Sequence, residues 1–144
     1  MSDATSASSS PGAVTVFERV GGAAFFDRLA GAFYASVRSD PVLLALYPHP
    51  DDLDGAKRRL AMFLAQYWGG PTTYSDERGH PRLRMRHAAY PIDEVMRDRW
   101  LSHMNFALDA CTAPGTAGSS TLSADVVHEM RDYFVRAADH LRNA

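Results

Sequence analysis

From Val14 onward the apolar residues return at three- and four-residue steps, and no stretch alternates apolar with polar at every second position. A chain patterned this way folds as helices and has no sheet to fold around. Phe26, Leu29, Phe33 and Val37 form the first clear stripe, entered through the tight turn that Gly21-Gly22 allows. Ser39-Asp40-Pro41 ends it and opens a short helix over Val42 to Leu46. Asp54 reads as the N-cap of a segment bearing Ala56, Leu60, Phe63, Leu64 and Tyr67, which stops at Gly69-Gly70-Pro71. Residues 71 to 82, PTTYSDERGHPR, read as a polar loop, with room for only a short helix between Pro81 and Pro91. A longer helix is expected from Asp93 to about Ala110, with Val95, Met96, Trp100, Met104 and Leu108 along one side. The stretch CTAPGTAGSST breaks the chain, and Ser123 caps a last helix carrying Val127, Met130, Phe134 and Leu141. The class is therefore all-α, with about five helices, one long irregular connection and no internal repeat.

Length and composition set the domain count. A chain of 144 residues with 46% hydrophobic residues encloses one sizeable core, so a single domain is expected over residues 14–144. Residues 1–13, nearly all Ser, Ala, Thr, Gly and Pro, hold too little apolar surface to offset the entropy of ordering and read as a disordered tail. The formal net charge of −2 gives no global pull toward nucleic acid or an anionic membrane. One cysteine, Cys111, excludes an internal disulfide and any multi-cysteine metal site. No run reaches the roughly eighteen apolar residues of a membrane span, and the start of the chain has no signal-like apolar core. A cytoplasmic protein is expected.

The chemistry-bearing residues gather around the polar loop. His87 sits on the expected short helix, the setting in which a neutral imidazole serves as a ligand to haem iron. The plain alternative is a surface histidine, as for His49, His80, His103, His128 and His140. Arg82, Arg84 and Arg86 precede it at alternate positions, either as cations for an anionic ligand or as a solvated basic edge; with Lys57, Arg58 and Arg59 they also suit nucleic-acid phosphates. Tyr34, Tyr47 and Trp100 each pair an apolar body with one hydrogen-bond donor. They fit a core, or a pocket that binds a small polarised ligand while excluding water.

At this point the sequence resembles a family. FERVGG, FY at Phe33-Tyr34, LYP at 46 to 48, RRLAMFLAQYWGGPTTYSDERGHPRLRMRH from 58 to 87 and DRW at 98 to 100 look like the group II truncated haemoglobins of bacteria. The similarity is close from Val14 to Ala110 and looser over the last helix. It implies a truncated globin, a 2-on-2 helical sandwich enclosing haem b (iron protoporphyrin IX). By resemblance, His87 is the proximal metal ligand, and Tyr34, Tyr47 and Trp100 form the polar ligand pocket. Ala56 stands where many globins place a distal histidine, with Leu60 as the apolar wall beside it. Arg59, Tyr74 and Arg86 resemble propionate partners, while Phe63, Leu64 and Met85 should line the macrocycle. The chain departs from the family pattern in its first thirteen residues, in APGTAGSS near residue 115, in a corner at Tyr47-Pro48-His49-Pro50-Asp51-Asp52 that is one residue longer, and in Ala88-Ala89-Tyr90-Pro91 after the histidine.

The resemblance implies O2, NO and CO as ligands. Two donors aimed at a ligand that gathers negative charge retard its escape, which argues against easy oxygen delivery and for redox work: oxidation of nitric oxide or turnover of peroxide, with an unidentified reductase. The alternatives are storage or sensing of O2 or NO without turnover, and, from a different class, a helical nucleic-acid-binding module using Arg82, Arg84 and Arg86. Apolar positions on the last two helices fit either the core or a homodimer interface.

Overall fold

A computed structural model describes residues 14–113 and 122–144; the expected tail at 1–13 and the break around residue 115 lie outside the described residues. Among these, the structure is helical throughout. Four long helices, α2 (Ala23–Val37), α4 (Asp54–Tyr67), α7 (Glu94–Thr112) and α8 (Ala124–Leu141), are joined to four short ones: α1 (Val16–Arg19), α3 (Pro41–Leu44), α5 (Thr73–Arg78) and α6 (Leu83–His87). Helix α2 packs against both α4 and α7, and α7 against α8, giving the expected two-over-two sandwich.

Local chemistry fixes the ends. Thr15 and Glu18 close a reciprocal capping box on α1, Asp93 caps α7 through Met96 N–H, and Ser123 caps α8 through Val126 N–H. Glycine is required at the junction of α1 and α4. Gly69 has φ of +100°, and a Cβ there would lie 2.7 Å from Thr15 Cβ; one on Gly70 would lie 2.5 Å from Phe17 Cδ1 and 2.8 Å from the Ala65 carbonyl oxygen. Their bareness lets α1 dock on the end of α4, where Phe17 N–H donates to Trp68 O at 2.9 Å.

Three local expectations change. Asp54 is the first helical residue of α4 rather than its N-cap; Leu53 holds the cap position, and Asp52 Oδ1 accepts from Asp54 N–H. The stretch read as a loop contains α5, because tertiary partners order it: Gln66 bonds both Ser75 N–H and Ser75 Oγ, and Arg58 pairs in a fork with Glu77 at 2.8 Å. Val95 is 56% exposed. It lies about 100° around the helix from Met96, so the inward stripe of α7 runs Met96, Trp100, Met104, Leu108 without it.

The core is strongly aromatic. Phe25, Phe26, Leu29, Phe33 and Val37 of α2 meet Leu64, Trp68, Met104, Leu108, Met130 and Phe134, all buried. Each such side chain contributes about 1.5–3 kcal/mol through burial. One polar group joins them. Asp40 accepts from Val42 N–H and Leu43 N–H to cap α3, from Arg99 Nη1 at 2.9 Å and from His103 Nε2 at 2.8 Å, while the other ring nitrogen of His103 meets Ser36 Oγ. This cluster ties the end of α2 and the start of α3 to α7.

The His103 hydrogen bond, with those from Leu43 N–H and Arg99, outweighs the cost of burial and holds the Asp40 carboxyl at about 2, below its ordinary 3.8. Because the folded value is depressed, the unfolded chain takes up the proton more readily. The stability from this group is present above pH 3.8 and is lost as pH falls toward 2. Acid unfolding followed by far-ultraviolet circular dichroism should be steep in that window and shallower in Asp40→Asn; superimposable profiles would assign the acid sensitivity to other carboxylates.

Candidate functional site

The helices enclose a cavity of about 630 Å3, a volume suited to a single bound small molecule or cofactor. Every long helix contributes to its wall, as do α3, α5, α6 and the corner after α3.

His87 enters the wall from the last turn of α6. Leu83 and His87 are four residues apart and share the face toward the cavity. His87 Nδ1 lies 2.7 Å from Leu83 O. A carbonyl oxygen only accepts, so Nδ1 carries the proton, and the lone pair of Nε2 is left for a ligand. The segment after the helix is held from the far end of the chain. Asn143 N–H donates to Ile92 O at 2.9 Å, its Oδ1 accepts from Ile92 N–H at 2.8 Å, and its Nδ2 donates to Tyr90 O at 2.9 Å and His87 O at 3.3 Å. Ahead of the helix, Arg86 braces the entering loop, donating from Nε to Pro81 O and from Nη2 to Arg78 O and His80 O.

Tyr34, Tyr47 and Trp100 occupy the same wall. The rings of Tyr34 and Tyr47 meet edge to face at 5.6 Å. Burial pushes both phenols above their ordinary value, Tyr47 well above it. Both therefore remain protonated, and thus donors, at neutral pH. Trp100 is wedged between Phe33 at 5.4 Å and Phe134 at 6.0 Å. Ala56, Leu60, Phe63 and Leu64 supply the apolar wall from α4, with Tyr74 set edge-on to Phe63 at 5.7 Å. Arg59 also lines the cavity and has no carboxylate partner among the described residues.

One expected wall residue is elsewhere. Met85 is 61% exposed and outside the cavity, because two residues along a helix from Leu83 turns the side chain to the far side of α6. Leu83 takes the inward place. The sequence reading also missed Ile92, Met96, Phe134, Ala138 and Leu141, all of which line the cavity. Phe134, Ala138 and Leu141 recur at steps of four and three, a signal that reads equally as core. Arg82 and Arg84, the other members of the basic run, are exposed.

A largely apolar cavity of this volume, with one imidazole nitrogen free to bind metal, three donors and an unpaired arginine, fits a flat apolar macrocycle that carries a metal at its centre and anions at its edge. The bacterial-like globin family model matches residues 15–135. The chain belongs to the bacterial-like globins. Among solved structures, this globin is similar to a thermostable haemoglobin from the actinobacterium Thermobifida fusca, at 47% identity and a TM-score of 0.82, covering 91% of this chain and 98% of that one. It is also similar to the group II truncated haemoglobin of Bacillus anthracis, at 32% identity and a TM-score of 0.80, covering 92% of this chain and 98% of the other. Among curated proteins, Group 2 truncated hemoglobin YjbI of Bacillus subtilis is 42% identical over 88 residues, 61% of this chain. That match spans 65% of the relative's length, and the match to Group 2 truncated hemoglobin 3-1 of Lotus japonicus spans 47%. The globin thus stands with the group II truncated haemoglobins, and its family implies haem as cofactor and diatomic gases as ligands. No helix of the described residues is long and apolar enough to cross a membrane.

Proposed function

We propose that this globin holds haem b through His87 Nε2, binds O2 tightly, and uses it in redox chemistry in the cytoplasm, either oxidation of nitric oxide or turnover of peroxide. The carrying observation is that three protonated donors, Tyr34, Tyr47 and Trp100, share one cavity with His87. Haem, when bound, supplies an iron centre that takes diatomic ligands and exchanges electrons.

The protein's part is positioning and electrostatics. Leu83 O orients the imidazole, and Leu60, Phe63, Leu64 and Tyr74 pack the macrocycle. Arg59 is the cation best placed for a propionate; Arg86, with two of its nitrogens given to carbonyls, steadies that rim and keeps only Nη1 to offer. Tyr47 and Trp100 donate to the negative end of a polarised diatomic ligand, and Tyr34 holds the Tyr47 hydroxyl. In a largely apolar site, such bonds count for more than they do in solvent. Ala56 leaves the ligand's space free of a competing imidazole. Nitric oxide and dioxygen combine to nitrate with one added electron, so turnover calls for an external reductase.

Stopped-flow measurement of O2 dissociation tests this. One charge-assisted hydrogen bond is worth about 1.5–3 kcal/mol, so Trp100→Phe should release O2 faster by about one to two orders of magnitude. Equal rates would remove the indole from the mechanism. Mixing the oxygenated protein with nitric oxide separates turnover from storage or sensing: nitrate formed in step with lost O2 supports turnover, and its absence favours the other two.

A further inference from the structure

Of the tyrosines in the cavity wall, Tyr90 and Tyr133 take no part in ligand binding, and Tyr133 has a stacked partner. Tyr133 of α8 lines the cavity, and its ring stacks on that of Tyr67, the last residue of α4, with centroids 4.2 Å apart and planes 29° from parallel. Tyr67 is not part of the cavity wall, and both residues are half-buried. The fully buried aromatic positions nearby are Phe26, Phe134 and Trp68. The phenols thus stand where the interior ends. Trp68 fixes both from behind, edge-on at 5.2 Å to Tyr67 and 5.1 Å to Tyr133.

Two phenols in face contact, one at the cavity and the other nearer solvent, form a short path for single electrons. A phenol that loses an electron also sheds its proton, and the reduction of a peroxide consumes one proton for each electron. Arg136 favours the loss of the proton, since its guanidinium lies 6.0 Å from the Tyr133 ring centre and penalises a ring that retains positive charge. The neutral phenoxyl radical is the form this setting supports.

We propose that Tyr133 and Tyr67 are an electron inlet, through which a small one-electron donor at the surface, such as a phenol or an enediol, reduces the cavity's oxidised contents. The inlet rests on the redox reading above, with a peroxide as oxidant. When no donor is present, the inlet consumes itself. Hydrogen peroxide takes two electrons and two protons to become two waters; Tyr133 and Tyr67 each give one electron and one hydroxyl proton. The two phenoxyl radicals join through a new bond between ring carbons beside the oxygens, and the hydrogens on those carbons move to the oxygens to restore both phenols. The product is an intramolecular dityrosine linking α4 to α8.

The test uses the haem-loaded full chain, treated with one equivalent of hydrogen peroxide without donor, then digested for mass spectrometry. The expected result is a linked pair of peptides containing Tyr67 and Tyr133, lighter than their sum by two hydrogens, with dityrosine fluorescence that excess ascorbate suppresses. Tyr67→Phe, outside the cavity wall, should lose the linked pair and keep the visible spectrum of the loaded protein. Peroxide consumption with no link, or with links confined to other tyrosines, overturns the inlet and leaves the redox reading standing. Peroxide left unconsumed overturns both.

Discussion

Replacing His87 with glycine is expected to weaken haem binding by at least about 100-fold, the upper end of what even a supporting partner of a metal ligand contributes, and added imidazole should restore much of the loss. The residue is half-buried on a five-residue helix and belongs to no part of the hydrophobic core, so the chain should stay folded. Leu83 O would lose its partner at the inward face, and the cavity would keep its apolar walls, its three donors and Arg59. Haem held by those alone would bind in more than one orientation and show an altered ferrous spectrum. Titration with hemin, followed by reduction and absorption spectroscopy, reads both effects. A variant that binds haem as tightly as the wild type, with the same ferrous spectrum, would place the metal on another residue.

Trp68→Ala should have the largest effect on stability, about 3–5 kcal/mol, against a total of about 5–15 kcal/mol for a domain of this kind. Trp68 is 1% exposed and touches four rings: Phe26 at 6.1 Å, Tyr67 at 5.2 Å, Tyr133 at 5.1 Å and Phe134 at 5.7 Å. It joins α2, α4 and α8 at one point. Close packing on all sides leaves little freedom for the neighbours to collapse into the space, which sets the cost near the top of the range. Equilibrium urea unfolding measures it, with Trp68→Phe expected to recover most of the loss. A change below about 1 kcal/mol would mean that the neighbours close the gap.

The long helices were legible because the information is local. Ser123 caps its own helix from one residue upstream, as its sequence position suggests, and the stripes on α2, α7 and α8 repeat within a few turns. Part of the wall was also legible, but through resemblance: periodicity alone leaves Tyr34, Tyr47 and Trp100 as core aromatics. What the sequence concealed depends on distant partners. Helix α5 forms because Gln66 and Arg58 of α4 hold Ser75 and Glu77, and nothing inside PTTYSDERGHPR announces those bonds. Asp40 reads as part of the break between two helices and proves also to join α7 through Arg99 and His103, which lie 59 and 63 residues away. Met85 was placed by family pattern and turned outward by helix geometry, which a residue count from His87 would have shown.

The Asn143 contacts bear on the order in which the molecule is completed. The loop bearing His87 O, Tyr90 and Ile92 is latched by a residue 51 to 56 positions further along, beyond the last turn of α8. Short helices have little independent stability, so α6 is not firmly set until α8 has docked and brought Asn143 with it. In a nascent chain emerging residue by residue, the docking of α8 would thus complete the aromatic core through Phe134 and steady the His87 imidazole in the same step, and cofactor capture waits on that step.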